Sequence, residues 1–217
     1  DTRFDRVEYN AGHTTEIKII RDFTDDSNVF VAGSTWPDDE KLLAKLASTF
    51  PEWKFIIAPH EVKPERINEI TELFPNAIRY SEINSIQSET INNQNIISNT
   101  QALIIDNIGL LSSAYQYGDI AYIGGGFGVG IHNTLEAAAF GLPVIFGPNY
   151  QRFNEAVELI SAGAAFTIKN QEEVGNNQRR NRNGMSDNDH HNTGTGMREE
   201  DYRGKVLFIK GKYQNIG

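Results

Sequence analysis

Five glycines lie between residues 124 and 130, in the sequence GGGFGVG. The apolar run Ile120 to Ile123 immediately before them predicts a buried parallel strand that leads into a loop. Because glycine lacks a Cβ atom, an anionic ligand can approach such a loop closely and bind its amide N–H groups. Gly125, Gly126 and Gly128 are therefore candidate phosphate contacts.

The residues after this loop predict a helix that begins at the ligand. Asn133 or Thr134 is a suitable N-cap, LEAAAF contains strong helix formers, and Gly141 ends the helix. A helix N-terminus attracts phosphate, and Glu136 in the first turn could accept two hydrogen bonds from the hydroxyls of a ribose. The alternative is that the glycines only form a tight turn and that Glu136 complements the helix dipole.

Two other stretches place polar side chains after predicted strands. Val29 to Ala32 predicts a strand followed by a turn that contains Ser34 and Thr35, and Lys54 to Ala58 predicts a strand followed by His60. Open parallel sheets bind ligands at this edge, so the three side chains are candidate contacts to a phosphate. Helix capping is the alternative for Ser34 and Thr35, and a structural role is the alternative for His60.

The segment GGGFGVGIHNTLEAAAFGLPVIFGPNYQRFNEA resembles the donor-site segment of the Kdo transferases. These GT-B glycosyltransferases transfer 3-deoxy-D-manno-octulosonic acid (Kdo) from CMP-Kdo to lipid A precursors. DTRFDRV, AGSTWPDDE and APHEVKPERI resemble further family segments in the same order, so the resemblance covers most of residues 1 to about 170. The HN-x-LE pattern is the most specific part. In the third segment Pro59 replaces a family arginine and additional residues follow His60, so no arginine is carried over there.

The resemblance implies that the chain is the donor-binding half of an inverting, metal-independent enzyme that needs no cofactor. It adds Arg3, His132, Asn133 and Thr134 to the donor contacts; a solvated side chain is the alternative for Arg3. The general base and the surface that faces the membrane and the lipid A precursor would lie in an N-terminal domain outside this sequence. We therefore expect this segment to be soluble, to bind CMP-Kdo or CMP, and to be inactive alone. The whole enzyme would act at the cytoplasmic face of the bacterial inner membrane.

The alternation of strands and helices predicts an α/β fold, a Rossmann-like doubly wound parallel sheet, over a donor-binding domain of residues 1–170. Residues 11–26 predict a short helix or a surface segment. Residues 81–100 predict a long loop with a short helix. The further predicted elements are a helix from Pro37 to the Phe50-Pro51 pair, a helix over Lys63 to Phe74, an edge strand over 77–80, a strand over Ala102 to Asp106, a helix over Gly109 to Tyr117, a strand over Pro143 to Phe146, a helix over Asn154 to Ser161 and a strand over Ala165 to Lys169.

Residues 171–217 have a different composition and predict an atypical polar tail. Glu172 to Arg203 contains no leucine, isoleucine or phenylalanine, so it cannot bury a helix face. The family would have an amphipathic helix here, and a reading-frame change near Val174 is our hypothesis for its absence. His190 and His191 beside two aspartates could bind a metal, but a disordered polar tail is the favoured interpretation. Val206 to Ile209 could add an edge strand.

Composition excludes several classes of protein. The formal net charge of −9 argues against a nucleic-acid binder, which needs a basic face. The absence of cysteine excludes a disulfide scaffold and a cysteine-based zinc site. The sequence contains neither an apolar run of membrane-spanning length nor a starting methionine, and we expect it to be part of a longer protein.

Two other functions stay open at this point. One is another GT-B nucleotide-sugar enzyme, either a UDP-sugar transferase or an epimerase. A preference for uridine over cytidine nucleotides would distinguish it from a Kdo transferase. The other is a non-catalytic nucleotide-binding module, which would not gain sugar transfer when an upstream domain is restored.

Overall fold

The structure is a computed structural model that describes residues 14–74, 76–86, 97 and 99–168. In these residues seven parallel strands form one sheet. The strands are β1 (Val29–Thr35), β2 (Lys54–Pro59), β3 (Ala77–Arg79), β4 (Ala102–Ile104), β5 (Ile120–Ile123), β6 (Val144–Phe146) and β7 (Ala165–Thr167). The helices are α1 (Lys18–Thr24), α2 (Pro37–Thr49), α3 (Pro64–Leu73), α4 (Tyr80–Ile86), α5 (Leu111–Ala114), α6 (Leu135–Ala138) and α7 (Asn154–Ser161).

The strand order is β3-β4-β2-β1-β5-β6-β7. On one side of β1 the chain therefore forms β2, then β3 at the edge of the sheet, and then β4 between them. It returns to the centre and builds outwards from β5 on the other side. Every pairing in the described sheet is parallel, and Phe30 of β1 lies opposite Ile120 of β5. The predicted Rossmann-like doubly wound parallel sheet is confirmed.

Both faces of the sheet are buried, because consecutive residues of each strand point to opposite sides. In β1, Phe30 and Ala32 pack in one apolar cluster with α2 and α3, whereas Val31 packs in the other cluster with α1 and α7. The central strand β5 is apolar and buried at every position for this reason. This double burial holds the carboxyl ends of β1 and β5 rigidly side by side.

The end of β1 differs from the prediction. The strand continues to Thr35, so Ser34 and Thr35 belong to the strand and not to a turn after it. Its pairing with β2 shifts between Gly33 and Thr35, and Ser34 at the shift has a φ of 53°. A bulge of this kind redirects side chains at the edge of a sheet.

Two predicted helices are shorter in the structure. The helix expected from Gly109 to Tyr117 is divided into α5 and a 3₁₀ turn, Tyr115–Tyr117. The helix expected over LEAAAF ends at Ala138, because the next amides bond three residues back, Phe140 to Ala137 and Gly141 to Ala138. Bonds of this spacing tighten a helix end into 3₁₀ geometry.

The other predicted elements agree closely with the structure. α7 has the predicted bounds, β3 is an edge strand as predicted, and residues 18–24 form a helix whose apolar face is buried. Among the helices of the described segments, none has the length and apolar character needed to cross a bilayer. Arg3 and residues 171–217, including the proposed histidine metal site, lie outside the described residues.

Candidate functional site

The candidate residues meet at the carboxyl edge of the sheet, where β1 and β5 are neighbours. The chain turns in opposite directions from these two strands, so a crevice opens between the segments that follow them. Residues after β1, β2 and β5 reach this place: Ser34, Trp36, His60, the glycine loop of residues 124–130 (the glycine loop below), His132, Asn133 and Glu136.

Close backbone contacts explain why the loop needs glycine. A Cβ atom on Gly124 would lie 2.2 Å from the carbonyl oxygen of Ser34, and one on Gly126 would lie 2.5 Å from the amide nitrogen of Gly147. Gly125 and Gly130 have φ values of 90° and 107°, which L-residues rarely adopt. A Cβ atom on Gly128, in contrast, would meet no atom within 4 Å. Most of the glycines are therefore required by the fold itself.

Most glycine amides of the loop donate hydrogen bonds within the protein. The sequence had instead predicted that they would be free to bind a ligand. The N–H of Gly125 donates to Asp39 Oδ2 at 2.8 Å. The other internal bonds run from Gly124 to Gly33 O, and from Gly128 and Gly130 to Gly125 O. In the described part of the chain, the loop amides of Gly126, Phe127 and Val129 have no hydrogen-bond partner. These three amides are the main-chain donors that the loop leaves free for a ligand.

α6 contributes less than predicted to an anion site. It is a single turn, so its dipole is small, and the N–H of Leu135 is already bound by Asn133 Oδ1 at 3.0 Å. Asn133 therefore caps the helix, as one of the two predicted alternatives. Thr134 is 4% exposed and its side chain makes no capping bond, so its proposed contact to the donor stays a prediction.

Glu136 lies beside Asn133 on the rim of the crevice. Its Oε1 accepts a hydrogen bond from Asn133 Nδ2 at 3.0 Å, which helps to orient the carboxylate. Glu136 is also close to the buried Tyr115, since burial first and the charge of Glu136 second raise the pKa of that phenol. The half-buried carboxylate thus lies in the first turn of α6, where it can accept hydrogen bonds from hydroxyl groups of a ligand.

Three aromatic rings form a cluster next to the glycine loop. The indole Nε1–H of Trp36 donates to His132 Nε2 at 2.9 Å, and the two rings are within 6° of parallel. His60 stacks on both, with centroids 4.8 Å from Trp36 and 4.5 Å from His132. Burial, and then the neighbouring His60, lower the pKa of His132, so its imidazole is neutral at neutral pH. The structure therefore brings the predicted residues His60 and His132 together through Trp36.

Asp39 connects the two central strands beneath this cluster. Its carboxylate is 1% exposed and accepts from the Trp36 amide at 2.9 Å, from the Gly125 amide and from the Tyr122 hydroxyl at 2.6 Å. Burial is the largest influence on the pKa of Asp39 and raises it, although these three donors act in the opposite direction. One carboxylate thus sets the distance between the turn after β1 and the glycine loop.

A buried ion pair between α2 and α3 engages the predicted site residue Thr35. Glu40 is fully buried; it accepts from the Thr35 hydroxyl at 2.9 Å and pairs with Arg66, whose side chain is 16% exposed. Arg66 also bonds Glu69 at 2.5 Å. Thr35 and Arg66 are therefore engaged in packing α2 against α3. Ser34 remains half-buried at the β1 bulge, on the side of the glycine loop.

A second loop covers the outer side of the glycine loop. The main-chain N–H of Asn149 donates to Gly126 O at 2.9 Å, and its side-chain Nδ2 donates to Gly128 O at 3.3 Å. The guanidinium of Arg152 donates to Val129 O and lies 5.1 Å from the ring centroid of Phe153. An exposed positive charge thus lies at the rim of the loop.

Sequence reasoning missed Trp36, Asp39, Tyr122 and Arg152 as site residues. Trp36 directly follows the AGST segment and Arg152 lies within the longest family-like segment. Their positions in these segments could therefore have identified them as site residues. Asp39 and Tyr122 carried none, since their bond joins residues 83 positions apart. Within the described residues no group of three potential metal ligands is present.

The fold and the crevice define a Rossmann-like domain with a polar site at the switch point of its sheet. The C-terminal CMP-Kdo binding domain of WaaA from Acinetobacter baumannii has the same fold, with a TM-score of 0.57 and 19% identity over 96% of this chain and 98% of that chain. No family model matches the chain.

Sequence comparison relates the chain to a particular group of enzymes. It is 28% identical over 150 residues to the 3-deoxy-D-manno-octulosonic acid transferase of Aquifex aeolicus, covering 66% of this chain and 39% of the relative. It is 31% identical over 153 residues to the enzyme of the same name from Rickettsia prowazekii, covering 67% and 31%. A bifunctional glycosyltransferase/methyltransferase of Fusobacterium nucleatum is 27% identical over 150 residues, covering 68% and 22%.

This chain is a relative of the Kdo transferases, as its sequence motifs predicted. It spans between about a third and two fifths of the length of these relatives.

Proposed function

We propose that this chain is the donor-binding domain of a GT-B glycosyltransferase that uses CMP-Kdo. The observation that carries the proposal is the meeting of the glycine loop, His60, His132 and Glu136 at the switch point between β1 and β5. Kinship to the Kdo transferases supplies the chemical identity of the ligand. The relative with the same fold is described as a CMP-Kdo binding domain, which agrees with this choice.

The nucleotide would bind with its phosphate at the glycine loop and its ribose at Glu136. The amides of Gly126 and Phe127 would donate to the phosphate, and Arg152 at the rim would add positive charge. Glu136, oriented by Asn133, would accept hydrogen bonds from both ribose hydroxyls. Ser34 at the β1 bulge and Arg3 are further proposed contacts.

These contacts would stabilise the phosphate as it leaves the sugar, which is one of the two requirements of glycosyl transfer. The other is a general base that deprotonates the acceptor hydroxyl. We assign the base and the lipid A precursor site to another domain of the whole enzyme, which would act at the cytoplasmic face of the inner membrane. This domain alone would bind the donor without transferring the sugar.

Calorimetric titration with CMP, UMP and UDP at one salt concentration tests the proposal. We expect CMP to bind most tightly. Replacing Glu136 with alanine should weaken CMP binding by about 1.5–3 kcal/mol, the range for hydrogen bonds to a charged group, or about 10- to 150-fold in Kd. Glu158→Ala is the matched control, because that exposed carboxylate lies in the last turn of α7, at the opposite edge of the sheet.

Unchanged affinity in the folded Glu136→Ala variant would refute the ribose contact. Preference for UDP would favour the second candidate, another GT-B nucleotide-sugar enzyme. The similarity to a bifunctional glycosyltransferase/methyltransferase is compatible with a glycosyltransferase of either kind. Restoring an upstream Kdo transferase domain should then create transfer of Kdo from CMP-Kdo. A hybrid that binds CMP but transfers nothing would indicate a non-catalytic nucleotide-binding module.

A further inference from the structure

Trp36 has no role in the function proposed above, yet its indole makes a specific hydrogen bond at the centre of the site. The acceptor, His132 Nε2, can accept only while it carries no proton. In a neutral imidazole the proton then resides on Nδ1, which becomes a donor. The bond of 2.9 Å from Trp36 therefore selects one tautomer of His132.

The positions of both rings are held by the backbone. The main-chain N–H of His132 donates to Gly124 O at 3.2 Å, and the main-chain N–H of Trp36 is held by Asp39 at 2.9 Å. Asp39 also binds the amide of Gly125. The indole, the imidazole and the glycine loop are thus connected through one buried carboxylate, and His60 stacks on both rings from one side.

His132 lies directly against the glycine loop, since its Cδ2 is 3.3 Å from the Cβ position of Gly125. In the described part of the chain, Nδ1 of this half-buried ring has no hydrogen-bond partner. His132 thus offers a fixed Nδ1–H donor on a ring that contacts, through Cδ2, a loop with three unpaired amides, and such a donor is suited to an anionic oxygen atom.

We propose that Trp36 is a positioning residue that holds His132 as the Nδ1–H tautomer, so that His132 donates a hydrogen bond to the phosphate of the bound nucleotide. This inference rests on the proposed function for the identity of the ligand. The tautomer itself does not depend on any ligand. Loss of the indole N–H would leave the imidazole able to adopt either tautomer and would weaken phosphate binding.

The tautomer is measured directly by ¹H–¹⁵N long-range NMR of the histidine rings in the ligand-free chain at about pH 7.5, where a neutral imidazole is expected. We expect His132 to show a protonated Nδ1 and an unprotonated Nε2. In Trp36→Phe, which keeps an aromatic ring to stack on His60, the Nε2–H form should appear. A protonated Nε2 in the parental chain would overturn the proposal.

Calorimetry with CMP then separates positioning from packing. Trp36→Phe should weaken CMP binding about fivefold, within the range of one hydrogen bond, and should leave cytidine binding unchanged. In the His132→Asn variant the side-chain amide nitrogen takes about the position of Nδ1, and an amide has no tautomers for Trp36 to select. Adding Trp36→Phe to this variant should therefore change CMP affinity less than twofold. A structural role of Trp36 would instead produce the same loss in both backgrounds and for both ligands, and that result would overturn the proposal.

If the parental chain binds no CMP, the proposed function and the phosphate contact both fail. The tautomer measured without ligand would still show whether Trp36 controls His132. If CMP binds and the two backgrounds respond equally to Trp36→Phe, the proposed function stands and the positioning role is refuted.

Discussion

Replacing Gly126 with alanine should destabilise the domain, whereas the same change at Gly128 should not. A methyl group at Gly126 would lie 2.5, 2.6 and 3.0 Å from the N, Cα and C atoms of Gly147. Real Cβ atoms essentially never approach other atoms closer than 3.0 Å. At Gly128 the methyl group would enter open space.

The backbone around Gly147 has little freedom to move away from such a methyl group. Phe146 before it accepts a hydrogen bond from Ile168, and Asn149 after it donates to Gly126 O at 2.9 Å. Overpacking of a tight site costs about 1–3 kcal/mol, and more where the neighbours cannot adjust. The smaller backbone entropy of unfolded alanine returns about 0.4–1 kcal/mol. A net loss of about 2–3 kcal/mol in the free energy of unfolding follows for Gly126→Ala.

Urea unfolding followed by tryptophan fluorescence and by circular dichroism measures this loss. It corresponds to a decrease in Tm of about 4–12 °C for a chain of this size. Gly128→Ala is the control and should stay within about 0.5 kcal/mol of the parental chain. An unfolding free energy of Gly126→Ala within the same limit would refute the backbone contact as the reason for this glycine. Gly128 is consequently the better position for testing ligand contacts, because changes there leave the fold intact.

Two further predictions concern charged groups. Arg66→Met should cost about 3–5 kcal/mol of unfolding free energy in urea titrations, because it leaves the buried Glu40 without its cation; a cost below about 1 kcal/mol would show that the carboxylate regains other partners. Burial and His60 lower the pKa of His132 in the folded chain, so below about pH 6.5 the unfolded state binds more protons and stability decreases as the pH falls. His132→Gln should reduce that decrease between about pH 7.5 and 5.5, and equal slopes in the two proteins would contradict the shift.

Local pattern was sufficient to predict the elements and the fold class. Ile120 to Ile123 is apolar at every position, which is typical of a strand buried on both faces, and it forms β5 with those bounds. α7 begins at Asn154 and ends at Ser161 as predicted, because its apolar face and its stop at Gly163 are encoded within the segment. The same signals were insufficient for α6, whose length depends on how its last amides bond in the folded chain.

The contacts that form the site required the tertiary structure. Trp36 bonds His132 across 96 residues, and Asp39 bonds Gly125 across 86. Both contacts exist because β5 lies next to β1, an order that local patterns of the two strands do not specify. The sequence by itself therefore determined which residues end the strands at the ligand edge and that the glycine loop follows one of them. Only the packed sheet decided which of those residues touch, because it places segments that are distant in the chain side by side and assigns most of the glycine amides to the protein.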